Sequence, residues 1–225
     1  MKRTLLLSTV LALAIVTAAM ADNMVLVTQQ SCPDCVTWNL LGPQYTIVPD
    51  GFVVSTLGGI SVTGNFGGGG PGKILTQSFS WLGNFTPFDS VLWTGGLGPL
   101  SLSFNQGVWQ AGAQIQANYI GPFVAAITAW DSSSTQLGPT LFEPGTSDHN
   151  ADGSAIYIGI RDLSAPNIAR IQFDIVSCVS NCEDFAIDKL CVDGVNQPTP
   201  EPGTLLMLSS GILGFGGLLR RRLRG

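Results

Sequence analysis

Five cysteines are the residues of this sequence whose spacing most directly predicts chemistry. Cys32 and Cys35 are separated by a proline and an aspartate, and Cys178 and Cys182 form a second close pair. In an oxidising compartment such thiols usually become disulfides. We therefore predict the local pairs Cys32–Cys35 and Cys178–Cys182, with the alternative that Cys191 pairs with Cys178 or Cys182. The odd count leaves a free thiol or an intermolecular bond.

The C-x-x-C arrangement of Cys32 and Cys35 also occurs in thiol–disulfide oxidoreductases. That chemistry requires the first cysteine at a helix N-terminus, where its thiolate is stabilised. Residues 36–40 have the composition of a strand, so redox chemistry is disfavoured. A zinc site built from four cysteines is also disfavoured, because thiols in an oxidising compartment are seldom free to bind metal.

Residues 148–153 carry side-chain oxygens at alternate positions. Asp148, Asn150 and Asp152, followed by Gly153, match the first half of a calcium-binding loop, in which alternate oxygens face one cation. The twelfth position is Gly159 and not a bidentate glutamate, so the segment is not an EF-hand. Two interpretations stay open: an extracellular calcium site, or a polar turn, which the same residue types favour. No other cofactor is expected.

Hydrolytic chemistry has little support in this sequence. His149 is the single histidine, and no G-x-S-x-G sequence is present. A glycosidase needs only two carboxylates, for which Glu183, Asp184 and Asp188 are candidates by residue type. The acids are too numerous to select a pair, so we assign no catalytic residue and predict a non-enzymatic protein.

Tryptophans provide a further candidate for ligand contact, because an indole ring can stack on a sugar. In a β-sandwich, however, aromatic side chains more often fill the core. The five tryptophans are Trp38, Trp81, Trp93, Trp109 and Trp130.

The charge of the central part of the chain restricts its partners. Residues 22–197 contain four basic and fourteen acidic residues, a formal charge of −10. Such a surface repels phosphate backbones, so a nucleic-acid partner is excluded. It is compatible with cations or neutral sugars, and it also keeps an exported protein in solution.

Short alternating or apolar runs, separated by glycine, proline, asparagine and aspartate, predict about a dozen strands in residues 22–197. This pattern is typical of an all-β domain of the β-sandwich or jelly-roll class. The predicted strands are 24–28, 36–41, 52–57, 74–81, 91–94, 100–104, 108–119, 123–130, 136–142, 155–160, 168–176 and 185–192.

Four segments in the second half of this domain are similar to jelly-roll domains of exported bacterial proteins related to carbohydrate-binding modules. They are residues 112–115, 127–131, 157–160 and 184–190, within a region of about 108–192. The resemblance implies a jelly-roll-like fold more strongly than it implies a ligand.

The beginning of the sequence predicts a secretory signal peptide. Lys2 and Arg3 form a positive region, residues 5–16 are apolar, and Ala19 and Ala21 are the small residues before a cleavage site. We expect signal peptidase to cut after Ala21. A permanent membrane helix is the less favoured alternative, because the apolar run is short.

The C-terminal end combines three features in order. Pro200-Glu201-Pro202 breaks any helix, residues 203–219 form an apolar stretch at the short limit for spanning a bilayer, and four arginines follow. Clustered arginines stay cytoplasmic under the positive-inside rule, which leaves the body outside the membrane. The arginines are Arg220, Arg221, Arg222 and Arg224.

This order of features resembles the PEP-CTERM sorting signal. The resemblance implies processing by a membrane-embedded exosortase, and members of this group typically come from Gram-negative bacteria that make extracellular polysaccharide. An ordinary tail anchor is the alternative, although it needs no Pro-Glu-Pro sequence.

Together these features predict three parts: a signal peptide (1–21), a β-sandwich domain (22–197) and a sorting segment with a transmembrane helix (198–225). The chain would first be anchored in the inner membrane and then reach the cell surface or extracellular matrix. Our leading hypothesis is a non-catalytic protein that binds polysaccharide. The alternative is a secreted glycan-active enzyme that uses a carboxylate pair.

Overall fold

A computed structural model of the chain describes residues 23–194. The predicted signal peptide and sorting segment lie outside the described residues. The described part consists of strands, turns and one 3-10 helix, Trp38–Leu41. The strands are β1 Met24–Val27, β2 Asp34–Val36, β3 Ile47–Val48, β4 Phe52–Ser55, β5 Ser61–Phe66, β6 Gly72–Thr76, β7 Ser90–Trp93, β8 Leu100–Ala117, β9 Gly121–Trp130, β10 Gln136–Ser147, β11 Ile156–Asp162, β12 Ile168–Ser177, β13 Phe185–Ile187 and β14 Leu190–Gly194.

One long strand, β8, connects two groups of strands. Its first part, residues 100–104, pairs with β5 on one side and β12 on the other. Its second part, residues 110–117, pairs with β11 on one side and with β13 and β14 on the other. Between these parts lies Gly107, where a Cβ atom would stand 1.9 Å from the carbonyl oxygen of Pro166. A residue without a side chain is therefore required where β8 passes from one group to the other.

The strands of the first group follow the order β4, β5, β8, β12, β9, β10. In the second group, one side of β8 pairs with β11, which pairs with β1. The other side of β8 pairs with β14, which pairs with β2, and with β13, which is followed by β7, β6 and β3. Both groups contribute to one hydrophobic core. Its fully buried members include Leu102, Ile127 and Phe173 from the first group and Ile115 and Ile158 from the second. The two groups therefore pack against each other, which is consistent with the predicted β-sandwich.

A second, smaller hydrophobic cluster lies on a separate side of β6 and β7. Leu75 and Val91 pack there with Trp81 and Phe85, which both belong to the connection between these strands. Ile74 and Leu92, the adjacent residues on the two strands, belong to the main core instead. Because successive side chains of a strand point to opposite faces, residues 77–89 cover the face of β6 and β7 that the main core does not use.

The all-β class is confirmed, and most predicted strands coincide with observed ones. The strand predicted at 36–41 is wrong over Trp38–Leu41, which forms the 3-10 helix. The fully buried Trp38 explains this difference, because its indole nitrogen donates a hydrogen bond to the carbonyl oxygen of Asp188 at 2.7 Å. Segments predicted as two strands at 100–104 and 108–119 form the single strand β8, and 185–192 is divided into β13 and β14.

Across residues 23–194, none of the helical structure is long and apolar enough to cross a bilayer. The apolar stretch predicted to span the membrane, residues 203–219, lies outside this range.

Candidate functional site

The structure corrects one of the two predicted disulfides. Cys35 pairs with Cys191 and not with Cys32. The reason is strand register: β2 and β14 are antiparallel neighbours, and Cys35 stands directly opposite Cys191 with a Cα–Cα distance of 4.0 Å. The alternative pairing of Cys191 with Cys178 or Cys182 is also wrong, since Cys178 and Cys182 are bonded to each other, as predicted.

Cys32 is the free thiol, and it is buried. The side-chain amide of Gln110 donates to its sulfur at 2.9 Å. Burial raises the pKa of the Cys32 thiol to about 11, so the thiolate that redox chemistry needs is suppressed at neutral pH. The next helical element begins only at Trp38.

The predicted calcium loop is held by protein hydrogen bonds. Asn84 is the central partner, since its side-chain oxygen accepts from the backbone N–H groups of Asp148 and His149 and from Gln116. Its side-chain nitrogen donates to a carboxylate oxygen of Asp148 and to Ser154. These bonds fasten residues 148–154 to the loop that contains Asn84.

Two of the three candidate calcium ligands bond to each other, and the third bonds to Ser154. Asn150 donates through its side chain and its backbone to the Asp148 carboxylate, at 2.6 and 3.2 Å. Asp152 accepts from the backbone of Ser154 at 3.0 Å, and hydrogen bonds from the Ser154 side chain and backbone lower its pKa. Among the described residues no three His, Cys, Asp or Glu side chains cluster as metal ligands. Such contacts are typical of a polar turn, and calcium binding by this loop stays a prediction.

The candidate catalytic acids lie in different surroundings. Glu183 is exposed, whereas Asp184 and Asp188 are buried. Asp188 lies beside Asp89 and Lys189, with Lys189 Nζ 3.6 Å from Asp89 and 3.8 Å from Asp188. Burial, reinforced by the negative charge of Asp89 and opposed by Lys189, raises the pKa of Asp188 to about 7. Sequence reasoning missed Asp89, because nothing local relates it to a residue about a hundred positions later.

Of the tryptophans, Trp38 belongs to the core and Trp130 is covered by the guanidinium of Arg170, 4.3 Å from its ring centroid. Trp81 and Trp93 meet instead in an open cleft of about 330 Å³. The residues that line this aromatic cleft are Tyr45, Lys73, Leu75, Ser80, Trp81, Trp93 and Asn118.

The aromatic cleft combines apolar rings with hydrogen-bonding groups. Leu75 and Trp81 are buried and form its apolar part, whereas Tyr45 is 62% exposed and Trp93 is half-buried. Lys73, Ser80 and Asn118 add an ammonium, a hydroxyl and an amide to the lining. Lys73 Nζ stands 5.6 Å from the ring centroid of Trp93, a cation–π distance.

Asp184 fixes the orientation of two cleft residues, Trp93 and Asn118. One of its carboxylate oxygens accepts from the indole nitrogen of Trp93 at 2.5 Å, and the other accepts from the side-chain amide of Asn118 at 2.9 Å. Asp184 is 7% exposed, so these bonds are shielded from water and hold both side chains in place. Asp184 therefore acts here as a positioning residue.

A larger groove, of about 470 Å³, runs beside residues 122–124, 144–146 and 177–179. Its polar side chains are Thr146 and Ser177, and its aromatic residue, Phe123, is buried. It offers a ligand fewer aromatic faces and no charged group, so we regard the aromatic cleft as the candidate site.

Comparison with protein-family models identifies the PEP-CTERM protein-sorting motif at residues 198–222. The match includes the predicted Pro200, Glu201 and Pro202 and the arginines at 220, 221 and 222. This motif indicates an exported protein that is anchored in the membrane and then sorted by an exosortase. A search of curated proteins finds no match to the sequence.

Proposed function

We propose that this protein is a non-catalytic, polysaccharide-binding component of the cell surface or extracellular matrix. In this proposal signal peptidase removes residues 1–21, and the sorting segment delivers a jelly-roll-like domain to the outside of the cell. The ligand is an extracellular polysaccharide and not a nucleic acid, because the domain carries a formal charge of −10.

The observation that carries the proposal is the aromatic cleft. Sugars present apolar C–H faces and hydroxyl edges, so a site for them needs both ring surfaces and hydrogen-bonding groups. Trp93 and Tyr45 supply the ring surfaces, and Lys73, Ser80 and Asn118 supply the polar groups. Concave sites with a few oriented polar groups among aromatic side chains are typical of small-ligand recognition.

Preorganisation strengthens this interpretation. The hydrogen bonds from Trp93 and Asn118 to Asp184 are made without a ligand, so the side chains need not be ordered during binding. Each rotamer-rich side chain that a ligand has to immobilise costs about 0.5–1.5 kcal/mol. The cleft avoids part of that cost.

A secreted glycan-active enzyme is the second candidate. The pairing of Asp89 with Asp188, whose pKa is raised to about 7, is the kind of unequal carboxyl pair that acid–base catalysis uses. Against this role, Asp188 is only 3% exposed and both carboxylates contact Lys189. Release of reducing sugar from a polysaccharide panel, lost in Asp188→Asn, would favour the enzyme.

Affinity electrophoresis of the protein through gels that contain dissolved polysaccharides tests the binding proposal. We expect at least one polysaccharide to retard the wild type, and Trp93→Ala to reduce this retardation. Trp130→Ala is the matched control, because Trp130 is also half-buried but lies under Arg170 outside the cleft. Equal retardation of the wild type and Trp93→Ala would reject the cleft as the binding site.

A further inference from the structure

We propose that the ligand is an uncharged polysaccharide. The bound polysaccharide extends from the aromatic cleft onto a second aromatic surface made by Phe79 and Phe88. This inference rests on the proposed function and specifies the substrate class of the same site. We call the second surface the phenylalanine platform.

The platform belongs to a closed loop, residues 77–89. The loop ends pair with each other: the backbone N–H of Gln77 donates to the carbonyl oxygen of Asp89 at 2.9 Å, and that of Phe88 donates to Gln77 at 3.3 Å. Compact loops with adjacent ends, packed by their own side chains, commonly carry function. Here Trp81 and Phe85 provide the internal packing.

Two aromatic rings of this loop remain outside that packing. Phe79 is 65% exposed and Phe88 is 69% exposed, whereas Trp81 and Phe85 are 2% and 0% exposed. The two exposed rings contact each other, with centroids 5.7 Å apart and planes inclined at 44°. A pair of exposed aromatic rings held together in this way presents a continuous apolar surface to a ligand.

Backbone conformation keeps the platform in this position. Ser78 and Phe88 have φ values of 70° and 73°, in the left-handed region that residues other than glycine seldom adopt. The loop therefore holds a bulky residue in an unfavourable conformation with its ring in solvent. Such conformations concentrate where they serve a function.

The platform is continuous with the aromatic cleft along the chain. Ser80 and Trp81 line the cleft, and Phe79 directly precedes them. A ligand with a single sugar ring could occupy only one of the two surfaces, whereas a polymer can contact both. Because the two surfaces adjoin in the sequence, the platform is better suited to further sugar rings of the same polysaccharide than to an unrelated partner.

Charge determines the class of polymer. Residues 77–88 contain no Asp, Glu, Lys or Arg, and the surrounding domain is strongly acidic. A polyanion or an anionic membrane would be repelled by the domain and would find no compensating cations on the platform. Lys73 is the basic residue of the cleft lining, and the buried Asp184 carboxylate accepts from the indole nitrogen of Trp93 in the same cleft. An uncharged polysaccharide fits both surfaces.

The test uses the full-length chain, purified in a detergent without a sugar headgroup. Retardation is measured with hydroxyethyl cellulose, dextran and galactomannan as neutral polymers and with alginate as the anionic polymer. Calorimetry with cello-, malto- and manno-oligosaccharides, from disaccharide to hexasaccharide, then measures the dependence of affinity on length.

The key variant is Phe79→Ala with Phe88→Asn, since asparagine tolerates the left-handed conformation. Phe142→Ala, an exposed phenylalanine on β10, is the matched control. We expect the double variant to bind the neutral polymer and the hexasaccharide about three- to tenfold more weakly, and the disaccharide as the wild type does. Trp93→Ala should weaken both.

Each contrary result has a distinct meaning. Wild-type affinity of the double variant for the hexasaccharide, with Trp93→Ala impaired, overturns the platform and leaves the proposed function standing. Binding to alginate alone overturns the uncharged class, and no binding to any polymer overturns the proposed function. If sedimentation velocity shows that the wild type is a dimer and the double variant a monomer, the platform is a self-association surface instead.

Discussion

The Cys35–Cys191 disulfide should dominate the stability of the domain. It joins residues 156 positions apart, whereas Cys178–Cys182 joins residues only 4 apart. In the chain-entropy account a cross-link stabilises the fold by restricting the unfolded state, and the effect grows with the logarithm of the closed loop. That relation gives about 5 kcal/mol for the long loop and about 2 kcal/mol for the short one.

Two double variants of residues 22–197 compare the contributions of the two disulfides to stability: Cys35→Ser/Cys191→Ser and Cys178→Ser/Cys182→Ser. Both cysteines are replaced each time, because a single Cys191→Ser change would leave Cys35 free to oxidise with Cys32. A natural domain is typically stable by about 5–15 kcal/mol, so the first variant should lose a third or more of its stability.

Urea unfolding followed by tryptophan fluorescence measures the two losses. We expect the unfolding midpoint to fall much further in Cys35→Ser/Cys191→Ser than in Cys178→Ser/Cys182→Ser, with the wild-type slope retained in the second. If the two variants lose equal stability, or the short-loop variant loses more, the reasoning from loop length is refuted. If mass spectrometry of the wild type finds Cys32 bonded to Cys35, the assigned register of β2 and β14 is refuted as well.

Four other predictions concern Asp188, Asn84, the predicted calcium loop and the sorting motif. Folding raises the pKa of Asp188 to about 7, so between about pH 4 and pH 7 the folded protein holds a proton that the unfolded chain has released. The stability of the domain should therefore fall over this range, by at most about 1.4 kcal/mol per pH unit. Asp188→Asn should flatten this part of the pH–stability profile, and an unchanged slope would contradict the assignment. Asn84→Ala should destabilise the domain by about 2 kcal/mol in urea unfolding, since the backbone N–H groups of Asp148 and His149 lose their acceptor and Gln116 and Asp148 each lose one hydrogen bond. Millimolar calcium should not change the wild-type melting temperature, and a rise that Asp152→Ala abolishes would instead establish the calcium site. Replacing Pro200, Glu201 and Pro202 with alanine should leave export intact and block processing of the sorting segment. Membrane fractionation and immunoblotting measure both steps, and normal maturation of this variant would contradict the role of the motif.

The strands were predictable where one face is buried and the other is not. On β12 the alternation of Ile171, Phe173 and Ile175 with polar residues reports directly which side faces the core. Strand β5 escaped prediction because Gly64 interrupts a similar alternation; its missing side chain leaves room for the ring of Phe52, which a Cβ atom would approach to 2.1 Å. That requirement is tertiary and leaves no local pattern.

The candidate site was less predictable, since it depends on which residues meet across the fold. Trp38 and Trp93 are both named as sugar-stacking candidates by sequence, yet one is fully buried and the other lines a cleft. Tyr45 and Asn118 are separated along the chain and share no motif. The disulfides show the same limit: the pair four residues apart was predicted from proximity, whereas Cys35–Cys191 required the pairing of β2 with β14.

The position of Cys191 also determines how the domain bears mechanical load. The sorting motif, at residues 198–222, follows β14 closely, so tension from a membrane attachment enters the domain near Gly194. Three residues further in it reaches Cys191 and passes through the covalent bond to Cys35. Tension between the membrane side and the N-terminal end of the domain therefore bypasses the chain between these two cysteines, which contains the aromatic cleft, the phenylalanine platform and most of the main core. Pulling cannot unravel this segment from its C-terminal end while the sulfur–sulfur bond is intact.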